Sequence, residues 1–228
     1  LLECHGKGIL DDGRPYILSE RRPEDSLDEF WATGGPMNLE AVRDLLMPVI
    51  EAAGALHAKG GFHGDISPEA VFIPEDDEAL PKLGGFGPVH WGRESTGLGG
   101  GSLSSTGRAG EETDPAAPYQ SPERRRGSGS MGAWTDVYSL AAMTLRAITG
   151  ETPKPPSGFG SLSFGSNEGS SQGGVQVPQP IESLLDKAMS ELYMSRPSDG
   201  RALAAAMKDA FKKVGVDAHS SAAKAPAT

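Results

Sequence analysis

The sequence has very little cysteine and no long apolar run. Cys4 is the only cysteine among 228 residues, so neither a disulfide framework nor a thiolate metal site is expected, and a reducing, cytoplasmic setting is predicted. No stretch approaches the roughly 20 consecutive apolar residues of a membrane-spanning helix, which predicts no membrane segment in this chain. His57, His90 and His219 are too scattered to indicate a metal site.

Positive charge is also scarce. Lysine and arginine total 21 against 31 acidic residues, which gives a formal net charge of -10. A surface this acidic repels phosphate backbones and anionic lipids, so no nucleic-acid partner is predicted. The hydrophobic content of 37% is sufficient for one globular domain with its own core, whose partners we expect to be proteins or small molecules.

Turn residues and apolar periodicity divide the chain into short strands and longer helices. Apolar runs within residues 1–20 flank an Asp-Asp-Gly-Arg-Pro turn and predict a hairpin, and residues 71–83 predict a second, smaller one. Ser26 and Glu29 form a capping-box pattern that predicts the start of a short helix. Longer helices are predicted near 38–59, 134–149, 180–193 and 199–214. Segments rich in glycine and serine predict mobile loops near 92–118 and 153–177, and a disordered tail at 216–228.

Four motifs follow one another along the chain. The first is His63-Gly64-Asp65-Ile66-Ser67-Pro68-Glu69-Ala70-Val71-Phe72-Ile73, and the second is Gly85-Phe86-Gly87. The third and fourth are Tyr119-Gln120-Ser121-Pro122-Glu123-Arg124 and Thr135-Asp136-Val137-Tyr138-Ser139-Leu140. Each alone is a weak signal, but the set, in this order and at these distances, resembles the serine/threonine protein kinases.

The resemblance implies an α+β, protein-kinase-like fold that consists mainly of the helical C-lobe with the last hairpin of the N-lobe. Residues 1–20 would end the N-lobe and begin the hinge, to which Glu20 and Arg22 are assigned. Residues 21–215 would form the C-lobe, and 216–228 a tail or linker. The family's glycine-rich loop and strand lysine have no counterpart in this chain, and we expect them upstream of Leu1.

The resemblance also assigns the catalytic positions. Asp65 matches the catalytic aspartate, which accepts the proton of the substrate hydroxyl. Gly64 stands at the preceding arginine, and Ser67 stands at the lysine that steadies the transferred phosphate. Ala70 and Gly85 stand at the asparagine and aspartate that hold magnesium, and neither can ligate a metal through its side chain. No metal site and no cofactor are therefore predicted.

Residues with structural roles in the family are retained. His63 and Phe86 match an apolar pillar of the kinase core. Glu123 matches a glutamate that pairs with an arginine between the last helices, and Arg196 stands at that partner's place. Asp136 matches an aspartate that caps the backbone of the catalytic loop. The resemblance therefore predicts contacts between Glu123 and Arg196 and between Asp136 and the loop around His63.

Three functions are consistent with these residues. The favoured one is an inactive pseudokinase that acts as a binding or regulatory module for a protein partner, such as a kinase or a fused domain. The first alternative is an active, atypical serine/threonine kinase that uses Asp65, ATP and magnesium with a relocated metal ligand such as Glu69. The second is a small-molecule phosphotransferase of the aminoglycoside-kinase type, which shares His-Gly-Asp; the motifs at 119–124 and 135–140 argue against it.

Overall fold

The computed structural model describes residues 1–21, 25–76, 79–85, 90–91, 116–127, 130–153 and 175–216. The predictions for most of the two loops (92–115 and 154–174) and for nearly all of the tail (217–228) lie outside the described residues, as do those for Arg22 and Phe86. The described strands are β1 (Cys4–Ile9), β2 (Pro15–Ser19), β3 (Asp25–Ser26), β4 (Gly61–Phe62), β5 (Val71–Ile73), β6 (Lys82–Leu83) and β7 (His90–Trp91). The described helices are α1 (Leu27–Ala32), α2 (Leu39–Ala58), α3 (Pro122–Arg125), α4 (Ala133–Thr149), α5 (Gln179–Ala188) and α6 (Gly200–Lys213).

The strands form small antiparallel sheets among the described residues. Strands β1 and β2 pair as the predicted hairpin, and β5 pairs with β6 as the predicted second hairpin, to which β3 adds an edge. Strand β4 pairs with β7. The described residues therefore have a mixed α and β structure, with three small sheets of short strands and several longer helices.

Helix α2 begins where the sequence predicts. The Asn38 side chain accepts a hydrogen bond from the backbone nitrogen of Ala41 at 2.8 Å and caps the first turn. Pro48 lies inside the helix without ending it. Among the described residues, no helix is long and apolar enough to cross a membrane.

Helix α4 is the centre of the core. Every residue from Thr135 to Leu145 is buried, so α4 is surrounded on all sides, and it packs against α2, α5 and α6. It ends at Gly150, whose φ of 73° lies in the left-handed region that glycine adopts without steric cost. This burial fixes the first turn of α4 beneath the loop that follows β4.

Helices α2 and α6 approach each other backbone to backbone. A Cβ atom at Gly200 would lie 2.6 Å from the backbone nitrogen of Gly54, closer than the Cβ atoms of folded proteins approach other atoms. Glycine is therefore required at this crossing, which brings the start of α6 against α2.

The end of α5 differs from the prediction. The helix was predicted to run to residue 193, but it ends at Ala188 and a 3-10 turn covers Tyr193–Ser195. The Ser190 carbonyl turns to accept a hydrogen bond from the Arg196 Nε at 2.8 Å, and the Ser190 hydroxyl accepts one from the Leu192 backbone nitrogen at 3.2 Å. These bonds replace the helical pattern and place Arg196 in the interior.

Candidate functional site

The candidate site is the loop between β4 and β5, residues 63–70, and Asp136 in the first turn of α4 holds it. The backbone nitrogens of His63 and Gly64 each donate a hydrogen bond of 2.7 Å to the Asp136 carboxylate. Asp136 is fully buried, so the two N–H donors satisfy a charge that would otherwise be costly to bury. The predicted contact between Asp136 and the loop is confirmed.

His57 is a third partner of Asp136, and sequence reasoning missed it. Its Nε2 lies 2.9 Å from an Asp136 carboxylate oxygen, and its Nδ1 accepts a hydrogen bond of 2.8 Å from the Gly200 backbone nitrogen. Because Nδ1 accepts, Nε2 carries the proton and donates to the carboxylate. His57 therefore joins α2, α4 and α6 beneath the loop, an arrangement that the spacing of histidines along the chain could not reveal.

His63 connects the loop to the segment after β6. Its Nδ1 accepts a hydrogen bond from the Asp65 backbone nitrogen at 3.2 Å, so its Nε2 donates to the Gly84 carbonyl at 2.8 Å. Gly64 and Gly85 both have positive φ, 78° and 69°, which lets the two segments turn toward each other. The ring of His63 is buried and serves the packing of these segments.

The two positions matched to magnesium ligands lie together. A Cβ atom at Gly85 would lie 3.0 Å from the Ala70 Cβ, so side chains at these positions share one small space. Neither residue has a side-chain oxygen, and Ser67 nearby in sequence is buried. Among the described residues, no group of three or more histidine, cysteine, aspartate or glutamate side chains is placed to hold a metal ion.

Asp65, the candidate general base, is paired with an arginine that sequence reasoning did not assign. The Arg124 Nη2 lies 2.7 Å from the Asp65 Oδ1, and the Arg124 Nη1 donates to the Gly64 carbonyl at 2.6 Å. Asp65 keeps 31% of its side chain exposed and Arg124 keeps 17%. The run of three arginines after Glu123 was the only sequence signal for this contact.

Glu123 and Arg196 form the ion pair predicted from the sequence. The Arg196 Nη1 and Nη2 donate to the two Glu123 oxygens at 2.8 and 2.9 Å, a bidentate arrangement. Burial acts to raise the pKa of Glu123, but the hydrogen bonds and charge of Arg196 outweigh it, so the pKa lies below its ordinary value. The pair fixes α3, which is only four residues long, to the segment before α6.

Glu20, assigned to the hinge, lies just beyond the end of β2. One carboxylate oxygen accepts a hydrogen bond from the Lys82 Nζ at 2.7 Å, and the other accepts one from the Glu3 backbone nitrogen at 2.9 Å. The hydrogen bond from Lys82 holds the pKa of Glu20 below its ordinary value. Glu20 therefore ties the first hairpin to β6.

Known proteins resemble this chain over much of its length, although no protein-family model matches it. The chain is 34% identical to the serine/threonine-protein kinase PknL of Mycobacterium tuberculosis over 143 residues, which cover 62% of the chain and 33% of PknL. It is 34% identical to the serine/threonine-protein kinase AfsK of Streptomyces coelicolor over 139 residues, which cover 61% of the chain and 16% of AfsK. It is 26% identical to serine/threonine-protein kinase D of Synechocystis over 202 residues, which cover 88% of the chain and 36% of that protein. The chain thus spans about a third or less of the length of PknL and AfsK.

Proposed function

We propose that the chain is a catalytically inactive member of the serine/threonine protein kinases, a pseudokinase that acts as a binding or regulatory module, because the relatives it matches are protein kinases by name. The observation that carries the proposal is the close approach of Ala70 and Gly85. These positions match the family's two magnesium-binding side chains, yet the residues present offer a methyl group and a hydrogen atom. The space that would hold the metal ligands therefore contains no side-chain oxygen from either position.

The residues of the loop do not fit a magnesium ion. Magnesium prefers octahedral oxygen coordination, usually with one or two carboxylates and the phosphates of the substrate. Ser67 is buried and uncharged, and the Asp65 Oδ1 is taken by Arg124. Glu69, the candidate for a relocated ligand, is exposed whereas the adjacent Ala70 is buried, so the two face different surroundings. We therefore derive no phosphate-transfer step through a metal at this site.

The contacts that hold the loop are present, although the two metal-binding side chains of the kinase family are replaced at Ala70 and Gly85. Asp136 caps the loop, and Glu123 with Arg196 anchors α3. We assign the described residues to the helical C-lobe, with the β1–β2 hairpin as the end of the N-lobe and Glu20 at the start of the hinge. A scaffold kept in this form suits the binding of a protein partner, such as an active kinase or a domain of the same polypeptide, in a reducing compartment.

An active, atypical kinase is the second candidate. Asp65 favours it, because its side chain remains 31% exposed and only Oδ1 takes part in the pair with Arg124. A hydroxyl group could therefore approach the other oxygen. A small-molecule phosphotransferase has less support, since the relatives described above are protein kinases by name.

Nucleotide binding distinguishes the two candidates. The thermal unfolding of the longest natural polypeptide that contains this chain would be followed with ATP, with magnesium alone and with both. A ligand present at 100 times its Kd stabilises the folded state by about 2.7 kcal/mol, which gives a readily measured shift in Tm. We expect no shift that requires magnesium and ATP together. A magnesium-dependent shift that Glu69→Gln abolishes would instead favour the atypical kinase.

A further inference from the structure

The ion pair of Arg124 with Asp65 joins α3 to the loop after β4. We propose that Arg124 is a positioning residue that keeps the Asp65 carboxylate as a structural counter-ion, so that the charge of the former catalytic residue binds α3 to the loop. The inference rests on the proposed function, because it gives a non-catalytic role to Asp65.

The geometry of the guanidinium group supports the proposal. Two nitrogens of one planar group reach two consecutive residues of the loop, the carboxylate of Asp65 at 2.7 Å and the carbonyl of Gly64 at 2.6 Å. Both distances are short, as expected for charge-assisted contacts. With 17% of the arginine and 31% of the aspartate side chain exposed, the pair is partly shielded from water. It is therefore screened less than a pair on the open surface.

The position of α3 explains why Arg124 reaches the loop. A helix of four residues is too short to be stable alone, so its side-chain contacts must hold it in place. Consecutive helical residues project about 100° apart, which sends Glu123 and Arg124 in different directions. Glu123 pairs with Arg196 in the interior, and Arg124 pairs with the loop. Helix α3 thus bridges the core and the loop through two adjacent ion pairs.

The loop itself offers Asp65 no cation. Gly64 precedes it without a side chain, and Ser67 is buried and uncharged. The charge of Asp65 is therefore balanced from another element, and Arg124 is the cation paired with it among the described residues. The pair uses one of the two carboxylate oxygens, Oδ1, as the acceptor for the guanidinium group, which gives Asp65 a structural contact that requires no substrate.

A double-mutant cycle of Asp65→Asn and Arg124→Gln tests the proposal. Each single change should lower the folding equilibrium constant on the order of tenfold. The double variant should be no less stable than the less stable of the two single variants. Arg124→Lys should retain part of the stability, because it keeps the charge but loses the fork that spans two residues. If Asp65→Asn does not fold, the comparison of Arg124→Lys with Arg124→Gln still measures the effect.

Local amide exchange supplies a readout that a general loss of stability would not give. In Arg124→Lys, exchange under native conditions should become faster at residues 63–66 and remain unchanged at 137–148 in α4. Arg14→Gln is the matched control, because Arg14 pairs with Asp12 at 2.7 Å on the surface and is 75% exposed. The loss of stability in Arg14→Gln should add to that in Asp65→Asn, with no coupling energy between the two changes.

The outcomes separate this inference from the proposed function. Coupling between Asp65 and Arg124 without phosphate transfer supports both. Independent effects of the two changes, with no local change in exchange, would overturn the role of Arg124 and leave the pseudokinase proposal in place. Metal-dependent phosphate transfer that Asp65→Asn abolishes would overturn the pseudokinase proposal and the structural role of Asp65 together.

Discussion

Removing the charge of Glu123 should destabilise this protein more than any change at an exposed ion pair. The Arg196 side chain is 0% exposed, so Glu123→Gln leaves a buried guanidinium without its counter-ion. Arg196 keeps hydrogen bonds to the carbonyls of Ser190 at 2.8 Å and Trp134 at 3.1 Å, and glutamine still offers one acceptor oxygen. Breaking a buried pair typically costs 3–5 kcal/mol, and these remaining contacts place the expected loss near the lower limit, at about 3 kcal/mol.

Urea unfolding measures this loss directly. With an m-value of about 2 kcal/mol/M, a loss of about 3 kcal/mol lowers the midpoint by about 1.5 M. Glu51→Gln is the matched control, because Glu51 pairs with Lys208 at 2.6 Å where both side chains are at least half exposed, and its loss should stay below about 1 kcal/mol. The double variant Glu123→Gln with Arg196→Met should lose less than the sum of the two single variants, since it leaves no buried charge unpaired. A Glu123→Gln midpoint equal to that of Glu51→Gln would refute the reasoning.

The remaining predictions concern pH, helix packing and the metal-ligand positions. Because the pKa of Glu123 is lowered on folding, its contribution to stability is present above a pH of about 4.5 and is lost as the pH falls further. In Glu123→Gln, the free energy of unfolding should therefore fall less steeply with decreasing pH in this acidic range. Gly200→Ala should lower the free energy of unfolding in urea by about 2 kcal/mol, because its Cβ meets the backbone of α2. Gly35→Ala is the control and should be nearly neutral, since a Cβ there would have nothing within 4 Å. Equal effects of the two changes would contradict the close approach of α2 and α6. The double change Ala70→Asn with Gly85→Asp should lower the free energy of unfolding by about 1 kcal/mol, because residue 85 has a positive φ. It should also give a magnesium-dependent shift in Tm with ATP. The absence of a shift would show that the two positions cannot form a pair of metal ligands.

Local structure could be read from the sequence because its causes lie within a few residues. The Ser26 backbone nitrogen donates to the Glu29 carboxylate at 2.7 Å, which completes the capping box that the pattern predicts. Asn38 and Gly150 likewise begin and end their helices through short-range effects. The end of α5 was misplaced because Arg196, outside the helix, captures the Ser190 carbonyl.

Contacts across the fold could not be derived from spacing alone. The pairs of Asp136 with the loop and of Glu123 with Arg196 were predicted only because the motifs resemble a known family. The pairing of Arg124 with Asp65 was missed, because it depends on where the short helix α3 sits in three dimensions. The role of His57 was missed for the same reason, since its partner Gly200 is 143 residues away.

Incubation with radiolabelled ATP is the direct test of our proposal that this chain does not transfer phosphate. The longest natural polypeptide that contains this chain would be incubated with magnesium or manganese, labelled ATP and a generic protein acceptor, beside its Asp65→Asn variant. Because the side chains of Ala70 and Gly85 provide no metal ligands and Ser67 provides no charge, we expect incorporation at background level in both proteins. Metal-dependent incorporation that Asp65→Asn abolishes would contradict it.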